Sequence, residues 1–130
     1  REKNESKKEG GAILIIDDEQ MILDIGSLMI RELGYKVIAA KSGKEGCDIY
    51  SNHFDEISLV ILDLNLPDMN AEEIFKSLKK TVPDCNVLLS SGYDQEGEAE
   101  RILNMGCRGF IQKPFNLGKL SEAIRSALGR

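Results

Sequence analysis

The stretch SLVIL, residues 58–62, is a short and almost continuous apolar run that Asp63 follows directly. Runs of this kind are typical of strands that are buried on both faces of a parallel sheet. Four similar runs lie elsewhere in the chain: AILII at 12–16, KVIAA at 36–40, CNVLLS at 85–90 and GFIQ at 109–112. Each gap between successive runs has room for one helix and two turns. The spacing therefore predicts five strands with a helix in each connection.

The gaps carry apolar residues at helical spacing. A first helix is predicted over 19–33 from Ile22, Ile25, Met29 and Leu33. Ser42 with Glu45 has the spacing of a capping box and predicts the start of a second helix. Further helices are predicted over 71–79, 95–105 and 117–128, the last with Asn116 as its N-cap.

This alternation of strands and helices predicts the fold. Right-handed crossovers place helices on both faces of a parallel sheet. We expect the α/β class, specifically a doubly wound (βα)5 flavodoxin-like sandwich. The expected strand order is 2-1-3-4-5, which is common for five parallel strands.

Length and charge restrict the remaining possibilities. The chain has 130 residues, which suits one domain over 12–130 preceded by a flexible linker or tail, REKNESKKEGG, over 1–11. We expect the chain to have been cut from a longer protein. The net charge of −5 argues against direct nucleic acid binding. No apolar run approaches the length of about 20 residues that crosses a bilayer, so no membrane segment is expected.

The cysteines and the single histidine bear on location and chemistry. Cys47, Cys85 and Cys107 form no close pair, which favours free thiols and a cytoplasmic location. His53 is the only histidine, so the sequence excludes a metal site with two histidine ligands.

Polar groups follow the predicted strands. Asp17 and Asp18 follow the first strand, Asp63 the third, Ser91 the fourth and Lys113 the fifth. Ligands in such sheets bind beyond the carboxyl ends of the strands, where the strand order reverses. Crowded carboxylates repel one another, and Mg²⁺, which prefers carboxylate oxygens, relieves that repulsion. The set provides a carboxylate nucleophile, a metal site, a cation and a hydroxyl, as phosphoryl transfer requires.

The chain resembles the receiver domains of two-component response regulators and hybrid sensor kinases. The resemblance runs from about Ile13 to Leu128. It is carried by four motifs: IIDDE (15–19), LVILDLNLPDM (59–69), LLSSGY (88–93) and GFIQKPF (109–115). It implies a phosphoacceptor that takes its phosphoryl group from a histidine kinase or a histidine phosphotransfer domain and loses it slowly by autodephosphorylation. Such a domain is mainly a regulatory phosphoacceptor, so its status as an enzyme is open.

The resemblance also implies residue roles. Asp63 would be the phosphorylated carboxylate, and Lys113 would pair with it and with the phosphoryl group. Asp18 would bind Mg²⁺ directly, Asp17 mainly through a metal-bound water, and Asn65 through its main-chain carbonyl. Asp63 completes this ligand set.

Further roles concern switching and signal lifetime. Ser91 matches the switch hydroxyl, and Phe110 matches the switch aromatic. Asn65 and Tyr93 would border the approach of the hydrolytic water. One departure is Asn70-Ala71, where many family members have glycine, so a stiffer or differently turned loop is expected. The Lys113–Pro114 peptide is expected to be cis.

The first helix offers a partner surface. Its apolar stripe is wider than a surface helix needs, and Met21, Ile25 and Leu28 form a flanking edge. In receivers this helix packs on the helical hairpin of the kinase. The SSGY and FIQKPF segments resemble those of hybrid sensor kinases, which makes a hybrid histidine kinase one expected parent protein.

Two other functions stay open. One is an aspartyl-phosphate phosphatase or phosphotransferase that acts on a small molecule. Such enzymes usually have a second Asp two residues after the nucleophile, and this chain has Asn65 there. The other is a flavodoxin-like nucleotide or flavin binder. It needs a phosphate-binding loop after the first strand, where this chain has the acidic segment DDEQ.

Overall fold

The computed structural model describes residues 11–92 and 96–129. The predicted tail over 1–11 therefore lies outside the described residues except for Gly11. The strands are β1 (Ala12–Ile16), β2 (Lys36–Ala40), β3 (Ile57–Asp63), β4 (Val87–Ser91) and β5 (Gly109–Gln112). The helices are α1 (Gln20–Glu32), α2 (Gly43–His53), α3 (Ala71–Thr81), α4 (Glu96–Leu103) and α5 (Leu117–Ala127), and a short 3₁₀ turn covers Phe54–Glu56.

The five strands form one parallel sheet in the order β2-β1-β3-β4-β5. This confirms both the predicted fold class and the predicted strand order. The register pairs Ile16 with Leu62, Asp63 with Ser90, and Ser91 with Gln112. The carboxyl ends of the three central strands consequently meet at one edge of the sheet.

The sheet separates two apolar cores. Side chains that alternate along each strand point to opposite faces, so Leu14 and Ile16 pack on one side and Ile13 and Ile15 on the other. Helices α2, α3 and α4 cover the first face, and α1 and α5 cover the second. Within the described ranges, no helix is both long enough and apolar enough to span a membrane.

In the part of the chain that the structure describes, side-chain caps begin three of the helices. Ser42 Oγ accepts a hydrogen bond from the Glu45 amide at 3.1 Å, as the capping-box spacing predicts. The Glu45 carboxylate accepts a hydrogen bond from the Lys41 amide at 2.7 Å. In a capping box it would accept from the amide of the N-cap, Ser42, so the observed bond lies one residue earlier in the chain. The predicted Asn116 cap is also present, with Oδ1 accepting from the Lys119 amide at 2.8 Å.

Asn70 is the N-cap of α3 and part of a complete capping box. Its Oδ1 accepts from the Glu73 amide at 2.8 Å, and the Glu73 carboxylate accepts from the Asn70 amide at 3.2 Å. Asparagine is among the best N-cap residues because its side-chain oxygen satisfies an amide that the helix leaves unpaired. This accounts for the departure from glycine in that loop.

Two features of the predicted core are wrong in detail. The apolar pattern that predicts α1 omits Leu23 and Ile30, which are its buried apolar side chains, while Ile25 is exposed, as expected for the flanking edge. The sequence of α1 is apolar on too many sides for its spacing to indicate which side is buried. Lys36 and Ala39 are exposed because β2 lies at the edge of the sheet, so this strand is not buried on both faces.

Candidate functional site

Three carboxylates meet at the edge where β1 and β3 end. Asp63 is the last residue of β3, and Asp17 directly follows β1. Both are buried, while Asp18 is exposed. Asp17, Asp18 and Asp63 each offer a carboxylate oxygen within 4.8 Å of the other two. The predicted convergence of these side chains is therefore present.

The sheet fixes the main chain at this edge. The Asp17 amide donates to the Ala40 carbonyl at 3.1 Å, and the Lys113 amide donates to the Ser91 carbonyl at 2.8 Å. These bonds continue the strand ladders one residue past the ends of β1 and β5. The Lys113–Pro114 peptide is cis, as expected.

Lys113 joins the two buried carboxylates. Its Nζ donates to Asp17 Oδ2 at 3.1 Å and to Asp63 Oδ1 at 3.2 Å. Glu19 Oε1 lies farther away, at 3.6 Å from the same Nζ. The Lys113 side chain is largely buried, so little water screens these charges. One cation is thus shared between two buried acids.

Burial is the main cause of the raised pKa values of the two acids. Burial, followed by the charge of Asp17, raises the pKa of Asp63 to about 6, although Lys113 and the Asn65 amide oppose the shift. Burial also raises the pKa of Asp17, against the Glu19 amide and Lys113. Burial acts to lower the pKa of Lys113, but the charges of Asp63 and Asp17 outweigh it and the pKa is raised. A single lysine does not fully compensate the two carboxylates.

The donor set fits a hard divalent cation. Clustered carboxylate oxygens are the ligands that Mg²⁺ prefers, and a dication would offset both the burial of Asp63 and the charge of Asp17, which raise the pKa of Asp63. Asn65 lies on the loop that follows β3, and its amide donates to Asp63 Oδ1 at 3.2 Å. The residue proposed to give a carbonyl ligand is therefore tied to the acidic cluster.

Ser91 lies at the same edge of the sheet as the carboxylates, and Phe110 lies on the neighbouring strand β5. Ser91 is fully buried at the end of β4, and its hydroxyl donates to the Gly92 carbonyl at 3.3 Å. Phe110 is half-buried against the core on the α2–α4 face and pairs in register with Leu89. Since Leu89 and Ser91 are two residues apart on β4, Ser91 and Phe110 belong to the same face of the sheet.

The predicted partner edge is exposed. Relative exposures are 71% for Met21, 46% for Ile25 and 65% for Leu28. Their helix begins three residues after Asp17, so its first turn lies beside the acidic cluster. Asn65 is exposed on the loop after β3. Tyr93, the other residue predicted to tune hydrolysis, lies outside the described residues.

Two further residues at this edge have contacts that the sequence did not predict. The Glu19 amide donates to Asp17 Oδ1 at 2.9 Å, which the acidic run DDE gives no reason to expect. Ser90 is buried opposite Asp63, and its hydroxyl has no hydrogen-bond partner among the described residues. The position of Ser90 directly before the predicted switch residue, Ser91, was the one sequence feature that pointed to it.

Comparisons with known proteins agree with this arrangement. The family model of the response regulator receiver domain matches residues 13–125. The response regulator SaeR of Staphylococcus aureus is 33% identical over 118 residues, which are 91% of this chain and 50% of SaeR. The chain thus spans about half the length of the curated relatives it matches.

Solved structures give the same result. A response regulator receiver domain protein from Clostridium thermocellum has a TM-score of 0.87 and 30% identity, with 92% of this chain and 95% of that chain covered. A chain of the CheX–CheY–BeF3–Mg²⁺ complex from Borrelia burgdorferi has a TM-score of 0.84 and 25% identity, with 93% and 97% covered. The chain belongs to the response regulator receiver domain family, the phosphoacceptors of two-component signalling.

Proposed function

We propose that Asp63 is the residue that receives the phosphoryl group, with Mg²⁺ held by Asp17, Asp18, Asp63 and the main-chain carbonyl of Asn65. The observation that carries this proposal is the position of Asp63. It is buried at the end of a central strand, with Asp17 beside it and the ammonium group of Lys113 bonded to both.

The transfer itself needs few groups. A carboxylate oxygen of Asp63 forms a bond to phosphorus, the N–P bond of the phosphohistidine donor breaks, and the imidazole nitrogen keeps the electron pair. A pKa of about 6 leaves most of Asp63 ionised near pH 7, so the nucleophile is available without a separate base. Burial removes water that would otherwise solvate the attacking oxygen.

Lys113 and Ser91 stabilise the phosphoryl oxygens in this proposal. Lys113 already lies at Asp63 and needs little movement to pair with a new anionic group. The Ser91 hydroxyl bonds the Gly92 carbonyl, and rotation about its C–O bond turns the proton towards an oxygen on phosphorus. We infer that this rotation draws the half-buried Phe110, on the same face, towards the site and so signals the phosphorylated state.

Mg²⁺, when bound, neutralises the carboxylates and the phosphoryl oxygens. The choice of this cation is supported by the oxygen-rich cluster and by the related complex that contains Mg²⁺ and BeF3. Asp18 is exposed, which suits a direct ligand that must exchange water for metal.

We further propose a histidine kinase or a histidine phosphotransfer domain as the partner, docked on Met21, Ile25 and Leu28. These side chains form an exposed apolar edge beside the acidic cluster. A donor seated there would place its phosphohistidine near Asp63. We propose that the parent protein is a hybrid histidine kinase; this proposal rests only on the SSGY and FIQKPF segments. We also propose that it acts in the cytoplasm, which the three free thiols support.

Slow autodephosphorylation is the last part of the proposal. Asn65 and Tyr93 would border the path of the hydrolytic water, and neither is a suitable base near pH 7, since an unperturbed tyrosine titrates near 10. The role of Tyr93 rests on the sequence. Replacing it with Ala should speed loss of the phosphoryl group, and unchanged decay, measured by intact mass in Mg²⁺ buffer, would contradict the shielding.

Phosphorylation by a small donor tests the acceptor assignment. Incubation with Mg²⁺ and acetyl phosphate should add one phosphoryl group to the wild type and none to Asp63→Asn, as measured by intact mass. Asp55→Asn is the matched control, because this exposed Asp lies in the turn before β3, at the other end of the strand from Asp63. Equal incorporation in wild type and Asp63→Asn would refute the assignment.

A further inference from the structure

The loop over residues 64–70 joins Asp63 to helix α3 and is fastened to helix α2. Asp68 Oδ1 accepts a hydrogen bond from the Gly43 amide at 2.9 Å, and Asp68 Oδ2 accepts one from the Lys44 amide at 2.9 Å. Gly43 and Lys44 are the first two residues of α2, where the helix dipole favours a negative charge. These bonds lower the pKa of Asp68, so it stays ionised.

Asp68 and Ser42 divide the capping of α2 between them. The amides of Gly43 and Lys44 donate hydrogen bonds to Asp68, and the amide of Glu45 donates one to the Ser42 hydroxyl. The first turn of a helix leaves such amides without intrahelical partners. Ser42 is a local cap, whereas Asp68 lies 25 positions away from Gly43 and reaches the helix from the loop.

Close packing brings the loop and the helix together independently of this charge. A Cβ added at Gly43 would lie 2.7 Å from Ile74 Cδ1 and 3.1 Å from Met69 Cβ. A larger residue at Gly43 would require Met69 of the loop and Ile74 of α3 to shift. The loop is therefore held against α2 by two hydrogen bonds and by close packing of the Met69 side chain at Gly43.

We propose that Asp68 is a positioning residue for cation binding: by fastening the loop to α2 it holds Asn65 at the acidic cluster. This inference rests on the proposed function, in which the Asn65 carbonyl is a ligand of Mg²⁺. The loop is anchored at its start by the bond from the Asn65 amide to Asp63 and at its end by Asp68. Because the loop is anchored at both ends, it loses little conformational freedom when the Asn65 carbonyl binds the cation. Residues that orient metal ligands in this way strongly affect metal affinity.

Calorimetric titration of the metal-free protein with Mg²⁺ tests the proposal. Asp68→Ala should bind Mg²⁺ about tenfold more weakly than the wild type, the size of effect seen when support for a ligand is lost. Asp68→Asn has the same charge as Asp68→Ala but keeps one acceptor oxygen for Gly43. It should therefore retain more of the affinity than Asp68→Ala, which separates positioning from a simple loss of negative charge.

Ser42→Ala is the matched stability control. It removes the other cap from the same helix without touching the loop, so it should lower the free energy of unfolding in urea but leave the Mg²⁺ affinity unchanged. The positioning role is overturned if Asp68→Ala binds as the wild type does, if Asp68→Asn binds as weakly as Asp68→Ala, or if Ser42→Ala weakens binding equally. These results leave the proposed function intact, whereas a wild type that binds no Mg²⁺ overturns both.

Discussion

Lys113 Nζ lies 3.2 Å from Asp63 Oδ1, although 50 positions separate the two residues in the chain. The same ammonium group bonds Asp17, so a single positive charge is shared between two buried carboxylates. The metal-free fold consequently carries an electrostatic strain at the point where phosphorylation is proposed to occur. Several properties of the domain depend on this charge imbalance.

Asp63→Asn should raise the free energy of unfolding of the metal-free protein near pH 7. The pKa of Asp63 rises from 3.8 in the unfolded chain to about 6 in the fold, so a protonated Asp63 stabilises the native state. That stabilisation is complete below about pH 4 and is lost as the pH rises through about 6. Asn is neutral throughout, so the gain should approach roughly 3 kcal/mol near pH 7 and vanish near pH 4.

Urea denaturation in the presence of a chelator, at both pH values, measures this difference. A gain that is the same at the two pH values would mean that ionisation of Asp63 is not its cause. Added Mg²⁺ should stabilise the wild type more than Asp63→Asn, because the variant lacks one carboxylate ligand.

Lys113→Met should destabilise the metal-free protein near pH 7. The change leaves Asp17 and Asp63 buried without their cation, and breaking a buried pair in this way costs about 3 kcal/mol. Lys119→Met is the control, since Lys119 is exposed on α5. Thermal unfolding compares the two variants, and an equal effect would show that the position of Lys113 between the carboxylates is unimportant for stability.

Ser90→Ala should stabilise the domain. The Ser90 hydroxyl is buried without a hydrogen-bond partner among the described residues, and an unsatisfied buried polar group costs about 1 kcal/mol or more. Ser91→Ala, which removes the bond to the Gly92 carbonyl, should give no such gain. Urea denaturation distinguishes the two, and a loss of stability in Ser90→Ala would show that its hydroxyl is satisfied in solution.

The double change Met21→Glu and Leu28→Glu should slow phosphoryl transfer from a phosphorylated histidine phosphotransfer domain. It places charge on the exposed edge of α1 proposed for docking. Phosphorylation by acetyl phosphate should stay unchanged, because neither side chain belongs to the acidic cluster. Phe54→Glu is the control, being another exposed apolar residue, in the turn before β3. If both donors slow equally, the docking assignment is contradicted.

The sequence predicts the strands well because strands inside a parallel sheet are continuous apolar runs. The observed bounds of β1, β2 and β5 are those predicted. β3 is longer than its predicted run by one residue at each end and includes Asp63, while β4 begins two residues later than predicted and ends one residue later, at Ser91. The residues that directly follow the predicted strands therefore predicted the acidic cluster, since parallel strands bring their carboxyl ends together.

Other features depend on tertiary contacts that no local pattern records. The apolar pattern of α1 omitted the buried Leu23 and Ile30, because this helix carries apolar residues on more than one side. The bonds from the Gly43 and Lys44 amides to Asp68 join segments more than 20 positions apart. No sequence pattern in either segment predicts that the two are in contact. The unsatisfied hydroxyl of Ser90 likewise appears only once its surroundings are known.

The continuation of the strand ladders past β1 and β5 has a consequence for how such domains diversify. The main chains of Asp17 and Lys113 are hydrogen-bonded into the sheet, whereas the exposed edge proposed for docking begins only at Met21. Substitutions that change partner choice therefore fall outside the rigid frame that aligns the reactive groups. Specificity can evolve on the surface of α1 while the chemistry at Asp63 is inherited unaltered.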